Sequence, residues 1–403
     1  MEFDVYWLLV LPVVFALGWW AARHESRVRA ARPTLPDAYF RGLNFLLNDQ
    51  SDRAVDAFVD VVRIDPETIE LHFALGKLFR RRGETDRAIR VHQNLLDRSD
   101  IDPALREQAL FELAQDFLKA GLLDRADQAF ERLAAGGQHL AAALRHRIDI
   151  AEMMRDWPRA IELASMQAPG DRTHHDRLRL AQFHCEEAER LLSARRTVPV
   201  SAPTGADPIR THLDQADHEM AGVGHPRVAL LRGQLAELES RFADAIVAWD
   251  ALRRSESSHF NLIVARWVQA HAHLGRIAEA IEGLRDQWHR HPTTAVFLQL
   301  FEALRRRDGD EQAAAWAVHA LEDKPSLAGL SGVIAWRTQV GPSRFDAAIL
   351  SLAGGLLDAQ AKLQSPHLCT QCGFRARQYY WQCPGCARWD TVSPLRAEDQ
   401  SSG

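Results

Sequence analysis

Four of the five cysteines in this 403-residue chain lie close together near its carboxyl end, in the pattern C-x2-C-x10-C-x2-C. They are Cys369, Cys372, Cys383 and Cys386. Each C-x-x-C turn presents two thiolates, and two such turns form a closed four-sulfur site for Zn²⁺ or a single iron. Two disulfides are the alternative, but disulfides do not persist in a reducing compartment, where we expect this end of the chain to lie.

The pattern therefore predicts one metal ion, Fe or Zn, held by all four cysteines. A segment of about 30 residues cannot bury enough core to fold by itself, so a structural staple is the favoured role for the metal.

Aromatic residues and arginines surround these cysteines. The aromatic residues are Phe374, Tyr379, Tyr380, Trp381 and Trp389, and the arginines are Arg375, Arg377, Arg388 and Arg396. Such a mixture can stack bases and bind nucleic acid. However, four thiolates around a divalent ion carry a formal charge of −2, and the whole chain carries −5. We therefore expect no nucleic acid, and we expect the aromatic residues to pack this segment onto neighbouring helices.

The middle of the chain must position this site, and it contains a repeat. Small and apolar residues recur at spacings of 3, 9, 4 and 3, which are typical of tetratricopeptide helix pairs. The clearest copies are Gly42, Phe45, Ala54, Phe58 and Val61; then Gly76, Phe79, Ala88, His92 and Leu95; then Ala114, Phe117, Ala126, Phe130 and Leu133. Weaker copies include Ala160, Gly233, Ala245, Trp249, Gly275 and Ala280. Small residues at the crossing of two helices allow close packing, and stacked repeats form an extended surface for binding polypeptides.

The repeat predicts an all-α tetratricopeptide superhelix, an α-solenoid, over residues 35–325. A proline-rich stretch without helical period predicts a flexible insertion at 193–208. We expect a closing helical unit at 326–364 to carry the metal-binding domain, a small β ribbon at 365–396, and a disordered tail at 397–403.

The amino end contains an uncharged apolar run from Val5 to Ala22. As a helix, it would reach about 27 Å, close to the thickness of a bilayer core. Glu2 and Asp4 precede it where a cleaved signal peptide would carry basic residues. We therefore predict a retained transmembrane anchor at 1–22 and a basic juxtamembrane segment at 23–34. The positive charges after the run place the amino terminus in the periplasm and the body in the cytoplasm.

No catalytic constellation emerges from the sequence. It contains no phosphate-binding glycine loop, no H-E-x-x-H and no G-x-S-x-G motif. Several histidines could be imagined as ligands, but without spaced carboxylates or cysteines nearby they indicate surface or packing roles; they are His174, His175, His184, His271, His273, His289 and His291. Cys185 is expected to be a small buried hydrophobe, and the pair Glu186 and Glu187 a solvated helix face. We predict that the chain is not an enzyme.

The order of anchor, repeats and C-x2-C-G…W-x-C-P-x-C-x2-W tail resembles the bacterial lipopolysaccharide assembly protein B family. The most specific part is the tail, HLCTQCGFRARQYYWQCPGCARWDTVSPLR, which is similar to the rubredoxin-like metal domain of that family. Ala387 replaces the glycine that usually follows the last cysteine of rubredoxins.

The resemblance implies an inner-membrane adaptor that restrains lipopolysaccharide synthesis. In this interpretation the adaptor helps a membrane-bound AAA-type metalloprotease, of the FtsH type, to degrade the deacetylase of the lipid A pathway. Other membrane proteins of lipopolysaccharide synthesis or transport are further expected partners. The alternative is a membrane-tethered redox protein that passes electrons through an iron site formed by the four cysteines.

Overall fold

The computed structural model describes most of the chain between residue 69 and the metal-binding segment. The described residues are 69–135, 139–197, 207–220, 225–255, 257–339 and 367–395, with isolated residues between 17 and 53, between 350 and 360, and at 399. They divide into two compact units, residues 1–150 and 151–403.

The first unit consists of antiparallel helix pairs joined by short turns. Its helices are α1 (Ile69–Arg81), α2 (Thr85–Asp97), α3 (Pro103–Lys119), α4 (Leu123–Ala134) and the greater part of α5 (Leu140–Met153). Gly83 and Gly121 lie in the turns within the pairs, with φ of 80° and 75°. This left-handed conformation favours glycine, and it lets the chain reverse sharply enough for the two helices of each pair to pack side by side.

The second unit continues the helical pattern and ends in the ribbon. Its helices are α6 (Trp157–Ser165), α7 (His174–Thr197), α8 (Pro208–Glu219), α9 (Pro226–Leu238), α10 (Phe242–Arg254), α11 (Val264–His273), α12 (Ile277–Arg290), α13 (Thr294–Asp308), α14 (Asp310–Asp323) and α15 (Leu327–Gln339). Short 3-10 helices lie at Pro169–Asp171 and Ser258–Leu262. A continuous apolar core runs from α7 to α15.

The predicted repeat positions lie where two helices cross. A Cβ at Gly76 would overlap the imidazole of His92, and a Cβ at Gly233 would overlap the indole of Trp249. Ala88, which follows in the same repeat pattern, is fully buried. The prediction of close crossings at these positions is confirmed, and both units are tetratricopeptide-like.

The ribbon is small and held by few backbone pairings. Strand β1 (His367–Leu368) pairs antiparallel with β2 (Arg375–Ala376). Isolated bridges join Cys369 to Val392 and Gln382 to Trp389. The four predicted metal-binding cysteines therefore lie in turns and bridges close to one another.

Several sequence-based boundaries can be compared with the helices. Helix α7 continues to Thr197 and α8 begins at Pro208, so the first residues of the predicted insertion at 193–208 are helical, contrary to our expectation, while residues 198–206 lie outside the described ranges. Within the predicted closing unit, α15 is helical.

Other predictions fall on residues outside the described ranges. The first repeat copy lies largely there, as do the tail, the juxtamembrane segment and nearly all of the predicted anchor. None of the helices that the structure describes has both the length and the apolar character needed to cross a bilayer.

Candidate metal centre and its contacts with the helices

The four predicted metal-binding cysteines are brought together in the ribbon. Their sulfur atoms all lie within 4.8 Å of one another. The Sγ atoms of Cys369 and Cys386 are 3.9 Å apart, and those of Cys372 and Cys383 are 3.7 Å apart. A tetrahedral Zn²⁺ with Zn–S bonds of about 2.3 Å would separate its sulfurs by about 3.8 Å. The donor set therefore fits one tetrahedral metal ion, and its chemistry does not distinguish iron from zinc.

Each pair of cysteines lies on a tight turn of the same design. In the first, the amide of Gly373 donates to the carbonyl of Cys369 at 3.0 Å; in the second, Ala387 donates to Cys383 at 2.8 Å. Gly373 and Ala387 both have left-handed backbones, with φ of 73° and 53°. The amide of Gly385 also points at the Cys383 sulfur, at 3.4 Å. Such turns aim amides toward sulfur and favour the thiolate.

The thiols do not ionise equally. Burial opposes ionisation of Cys369, yet its hydrogen bond with the Thr391 hydroxyl and those with nearby backbone amides lower its pKa to about 6. Although the amide of Phe374 favours a thiolate at Cys372, slight desolvation and the three other sulfurs raise the pKa of this exposed thiol to about 12. All five cysteines are free thiols. Four sulfurs this close need a cation if all are to be thiolates, so the site suits a metal ion better than free thiols.

One side of the ribbon rests on the helices of the second unit. We call the receiving residues the ribbon seat; they are Glu152, Gln182, His225, Arg227 and His259. They come from the end of α5, from α7, from the start of α9 and from the 3-10 helix at Ser258–Leu262. The contacts of the seat are therefore far from the ribbon in sequence.

Glu152 holds two ribbon side chains at once. The indole Nε1 of Trp389 donates to Glu152 Oε1 at 2.8 Å, and the amide of Gln382 donates to the same oxygen at 2.6 Å. The second carboxylate oxygen of Glu152 pairs with Arg179. Trp389 is buried, and its ring meets those of Trp157 and Phe183 edge-on. The carboxylate is thus fully engaged beneath a buried tryptophan.

Asp390 is the ribbon's carboxylate contact with the seat. It accepts a hydrogen bond from Gln182 Nε2 at 2.9 Å and one from His225 Nε2 at 2.9 Å. His225 Nδ1 in turn accepts from the backbone amide of Arg227 at the start of α9. One ribbon side chain is therefore connected to the beginning of a helix more than 150 residues earlier.

Arg227 is the buried cation of the seat. Its guanidinium donates to Gln182 at 2.7 Å, and to Glu186 and Glu189 at 2.8 and 2.7 Å. Burial lowers the pKa of Arg227, but the two carboxylates outweigh burial and raise it. Its guanidinium carbon lies 5.3 Å from the ring centre of Trp381 and 6.0 Å from that of Trp389. These distances allow cation–π attraction, so two ribbon tryptophans cover the charge.

A third set of ribbon contacts involves His259. Its ring stacks on Trp381 with centres 5.1 Å apart and an angle of 1° between the planes. Its Nε2 lies 3.2 Å from the hydroxyl of Tyr379. Burial lowers the pKa of His259 to about 4 and raises that of Tyr379 above its usual range. Both groups are neutral near pH 7, as a stacked and buried contact requires.

The structure confirms one packing prediction. Tyr379, Trp381 and Trp389 do pack the ribbon onto helices. They contact residues of the seat. Most of the predicted closing unit at 326–364 beyond Gln339 lies outside the described residues, so the expectation that this unit carries the ribbon stays a prediction. Sequence reasoning missed the seat because its residues share no motif or spacing.

The acidic pair on α7 was wrongly predicted to be a solvated face. Glu187 is buried and pairs with Arg190, whereas Glu186 pairs with Arg227. The partner of Glu187 lies three residues away, whereas the partner of Glu186 is a distant cation that nothing local in the sequence indicates.

The remaining candidate ligands do not join the metal site. Cys185 is fully buried, and burial raises its pKa to about 12, as expected of a small buried hydrophobe. His184 contacts His212, with their Nδ1 atoms 2.9 Å apart. His271 contacts the carbonyl of Trp267, and His273 stacks on Phe242. Within the described part of the chain, the four ribbon cysteines form the only group of three or more potential metal-binding side chains.

Comparison with known proteins agrees with the metal-binding ribbon. Residues 367–394 match the rubredoxin metal binding domain. The chain is 28% identical over 396 residues to lipopolysaccharide assembly protein B of Escherichia coli (strain K12), covering 97% of this chain and 98% of the relative. It is 26% identical over 407 residues to the protein of the same name from Haemophilus influenzae, covering 98% of each chain. A crystal structure of MamA protein is similar over 46% of this chain and 90% of that one, with 16% identity and a TM-score of 0.34.

Proposed function

We propose that this chain, which is similar over nearly its full length to lipopolysaccharide assembly protein B of two bacteria, is a non-enzymatic adaptor that regulates lipopolysaccharide biosynthesis. The observation that carries the proposal is the similarity to two curated relatives of that name over nearly the full length, repeats and ribbon included. Tetratricopeptide-like helix pairs supply surfaces that bind polypeptides, which suits an adaptor.

The proposed mechanism is the recruitment of a client to a protease. The client is the deacetylase of the lipid A pathway, and the protease is a membrane-bound AAA-type metalloprotease. The adaptor itself lies in the bacterial inner membrane, with a single helix in residues 1–22, its amino terminus in the periplasm and its body in the cytoplasm. Holding a soluble client near a membrane protease raises its effective concentration there without any chemistry by the adaptor.

The metal centre has a structural part in this proposal. Cys369, Cys372, Cys383 and Cys386 would hold one metal ion, Fe or Zn. When bound, the ion supplies a closed cross-link between the two cysteine turns. The chain's own residues then do the rest: Trp389 and Asp390 keep the ribbon on Glu152, Gln182 and His225.

The experiment compares the full chain with a form lacking residues 1–22, both expressed at the same level in cells without the native protein. We expect the full chain to keep the deacetylase level low and the shortened form to leave it high, although the shortened form is folded by circular dichroism. Full control of the deacetylase by the shortened form would contradict the tethered-adaptor proposal.

Electron transfer through an iron site is less favoured. Metal analysis of protein purified without oxygen separates the two functions. Stoichiometric zinc without iron–thiolate absorption fits a structural ribbon, whereas reversible reduction of a bound iron by membrane reductases would favour the redox protein.

A further inference from the structure

The exposed arginines of the ribbon form no ion pair with a carboxylate among the residues that the structure describes. Arg375 and Arg377 lie two residues apart on and just after β2, so their side chains share one side of the strand, while Ala376 between them is buried. Arg388 reaches back to the first cysteine turn, where its Nη1 donates to Gln371 at 2.8 Å. We call these three exposed arginines, together with Phe374, the basic face.

Phe374 joins the two cysteine turns at this surface. Its Cβ lies next to Gly385 of the second turn, and 37% of the residue is exposed. The basic face therefore combines three exposed cations with one apolar ring.

No carboxylate within residues 367–395 pairs with the basic face, although four thiolates around a divalent ion carry a formal charge of −2 in the same ribbon. Between residues 367 and 395 the only carboxylate is that of Asp390, and it is bound to Gln182 and His225 of the seat. Two exposed arginines elsewhere in the chain do have acidic partners: Arg276 pairs with Glu279, and Arg290 pairs with Asp286 on its own helix. The carboxylate of the ribbon thus contacts the helices, whereas these three arginines are exposed to solvent.

We infer that the basic face is a docking surface for an acidic polypeptide segment of a partner protein, one that also carries an apolar side chain for Phe374. Charge complementarity selects the acidic segment. A nucleic acid fits less well, because Trp381 and Trp389, which could stack bases, are turned onto the seat. The inference goes beyond the proposed function, since this surface can bind an acidic segment whatever the client in the cell is.

The test uses the detergent-solubilised full chain and a fluorescein-labelled peptide, Glu-Glu-Leu-Glu-Glu-Leu-Glu-Glu, with fluorescence anisotropy as the readout. The variant R375E/R377E should bind the peptide at least about tenfold more weakly at low salt, because it replaces two attractions by two repulsions. The charge-conserving variant R375K/R377K should keep most of the affinity. The matched control R276E/R290E makes the same change of net charge on the helices and should bind like the unaltered chain.

Three results would overturn the inference. One is equal peptide binding by R375E/R377E and the unaltered chain. Another is an equal loss of binding in the helix control, which would show that only the total charge matters. The third is binding of a single-stranded oligonucleotide or of anionic lipid vesicles, lost in R375E/R377E, by a chain that does not bind the peptide. The metal content of each variant is measured alongside. If R375E/R377E loses its metal while peptide binding is unchanged, the role of the arginines is to stabilise the thiolates and not to bind a partner.

Discussion

Both units of the molecule place an arginine among carboxylates, but they enclose it in different ways. In the first unit, Arg80 on α1 donates to Asp116 at 2.7 Å and to Glu112 at 2.6 Å, both on α3. His92 on α2 completes the cluster through Asp116. Every member comes from successive helices, so folding of one and a half repeats is enough to assemble the cluster.

In the second unit, the corresponding cation is Arg227. Its polar partners Gln182, Glu186 and Glu189 all lie on α7. Its cover, however, consists of Trp381 and Trp389 of the ribbon. Two clusters of similar composition therefore depend on different things: the first on local repeat packing, the second on a small domain that cannot fold by its own core. The comparison teaches that the metal centre can support the helices at a distance.

Removing one metal-binding thiol should show the difference between the Arg80 and Arg227 clusters most clearly. In Cys383→Ser, three thiolates hold the ion poorly, so we expect bound metal to fall from about one equivalent to a small fraction. The ribbon should then leave its seat, with a red shift of tryptophan fluorescence as Trp381 and Trp389 meet water. The helices of the first unit should be unaffected. Metal analysis, fluorescence and circular dichroism measure these three effects.

The matched control for this change is Cys185→Ala, which alters the one cysteine outside the site. It should keep its metal and its fluorescence maximum. If Cys383→Ser also keeps the fluorescence maximum after the metal is lost, the ribbon stays on the helices without metal, and the difference between the two clusters disappears.

The cysteine pattern was sufficient to predict the centre that this experiment targets. Two C-x-x-C turns within 18 residues indicate a metal site by their spacing alone, and the structure brings the four sulfurs together. Repeat spacing was equally informative, because the Gly76 and His92 contact is a property of one helix pair. Local patterns of this kind are readable because a fixed backbone geometry links spacing to contact.

The ribbon seat could not be predicted in the same way. Glu152 and Trp389 are separated by 237 positions, and Gln182 and Asp390 by 208. No periodicity connects such residues, and a glutamate near a helix end looks like an ordinary surface residue. Glu186 shows the consequence: its role is decided by Arg227, which is more than forty positions away. Long-range polar contacts depend on the folded chain and not on local spacing.

Replacing the arginine of each cluster by alanine should have an effect of intermediate size and should distinguish the two clusters further. Removing one partner of a buried ion pair costs about 3 kcal/mol, because carboxylates lose their compensation. We expect Arg80→Ala and Arg227→Ala each to lower the free energy of unfolding by about that amount. Only Arg227→Ala should also speed the release of metal to a chelator, by about tenfold or more, because only Arg227 contacts the ribbon tryptophans.

The control for both truncations is Arg276→Ala, which removes a fully exposed pair with Glu279 and should leave the free energy of unfolding nearly unchanged. Equal rates of metal release in Arg80→Ala and Arg227→Ala would mean that the ribbon's hold on its metal does not depend on the seat.

The smallest expected effect concerns Ala387, where this chain has replaced a glycine. Ala387 has a left-handed backbone with φ of 53°, like Gly373 at the matching place in the first cysteine turn. A side chain in that region costs about 1 kcal/mol relative to glycine. We therefore expect Ala387→Gly to stabilise the ribbon by up to about 1 kcal/mol and to slow metal release a few-fold. The first unit, and the Arg80 cluster with it, should not respond. Because Ala387 is exposed, the gain cannot come from repacking. Faster metal release in Ala387→Gly would contradict this expectation. It would show that the extra conformational entropy of glycine in the unfolded turn outweighs the relief of backbone strain in the folded one.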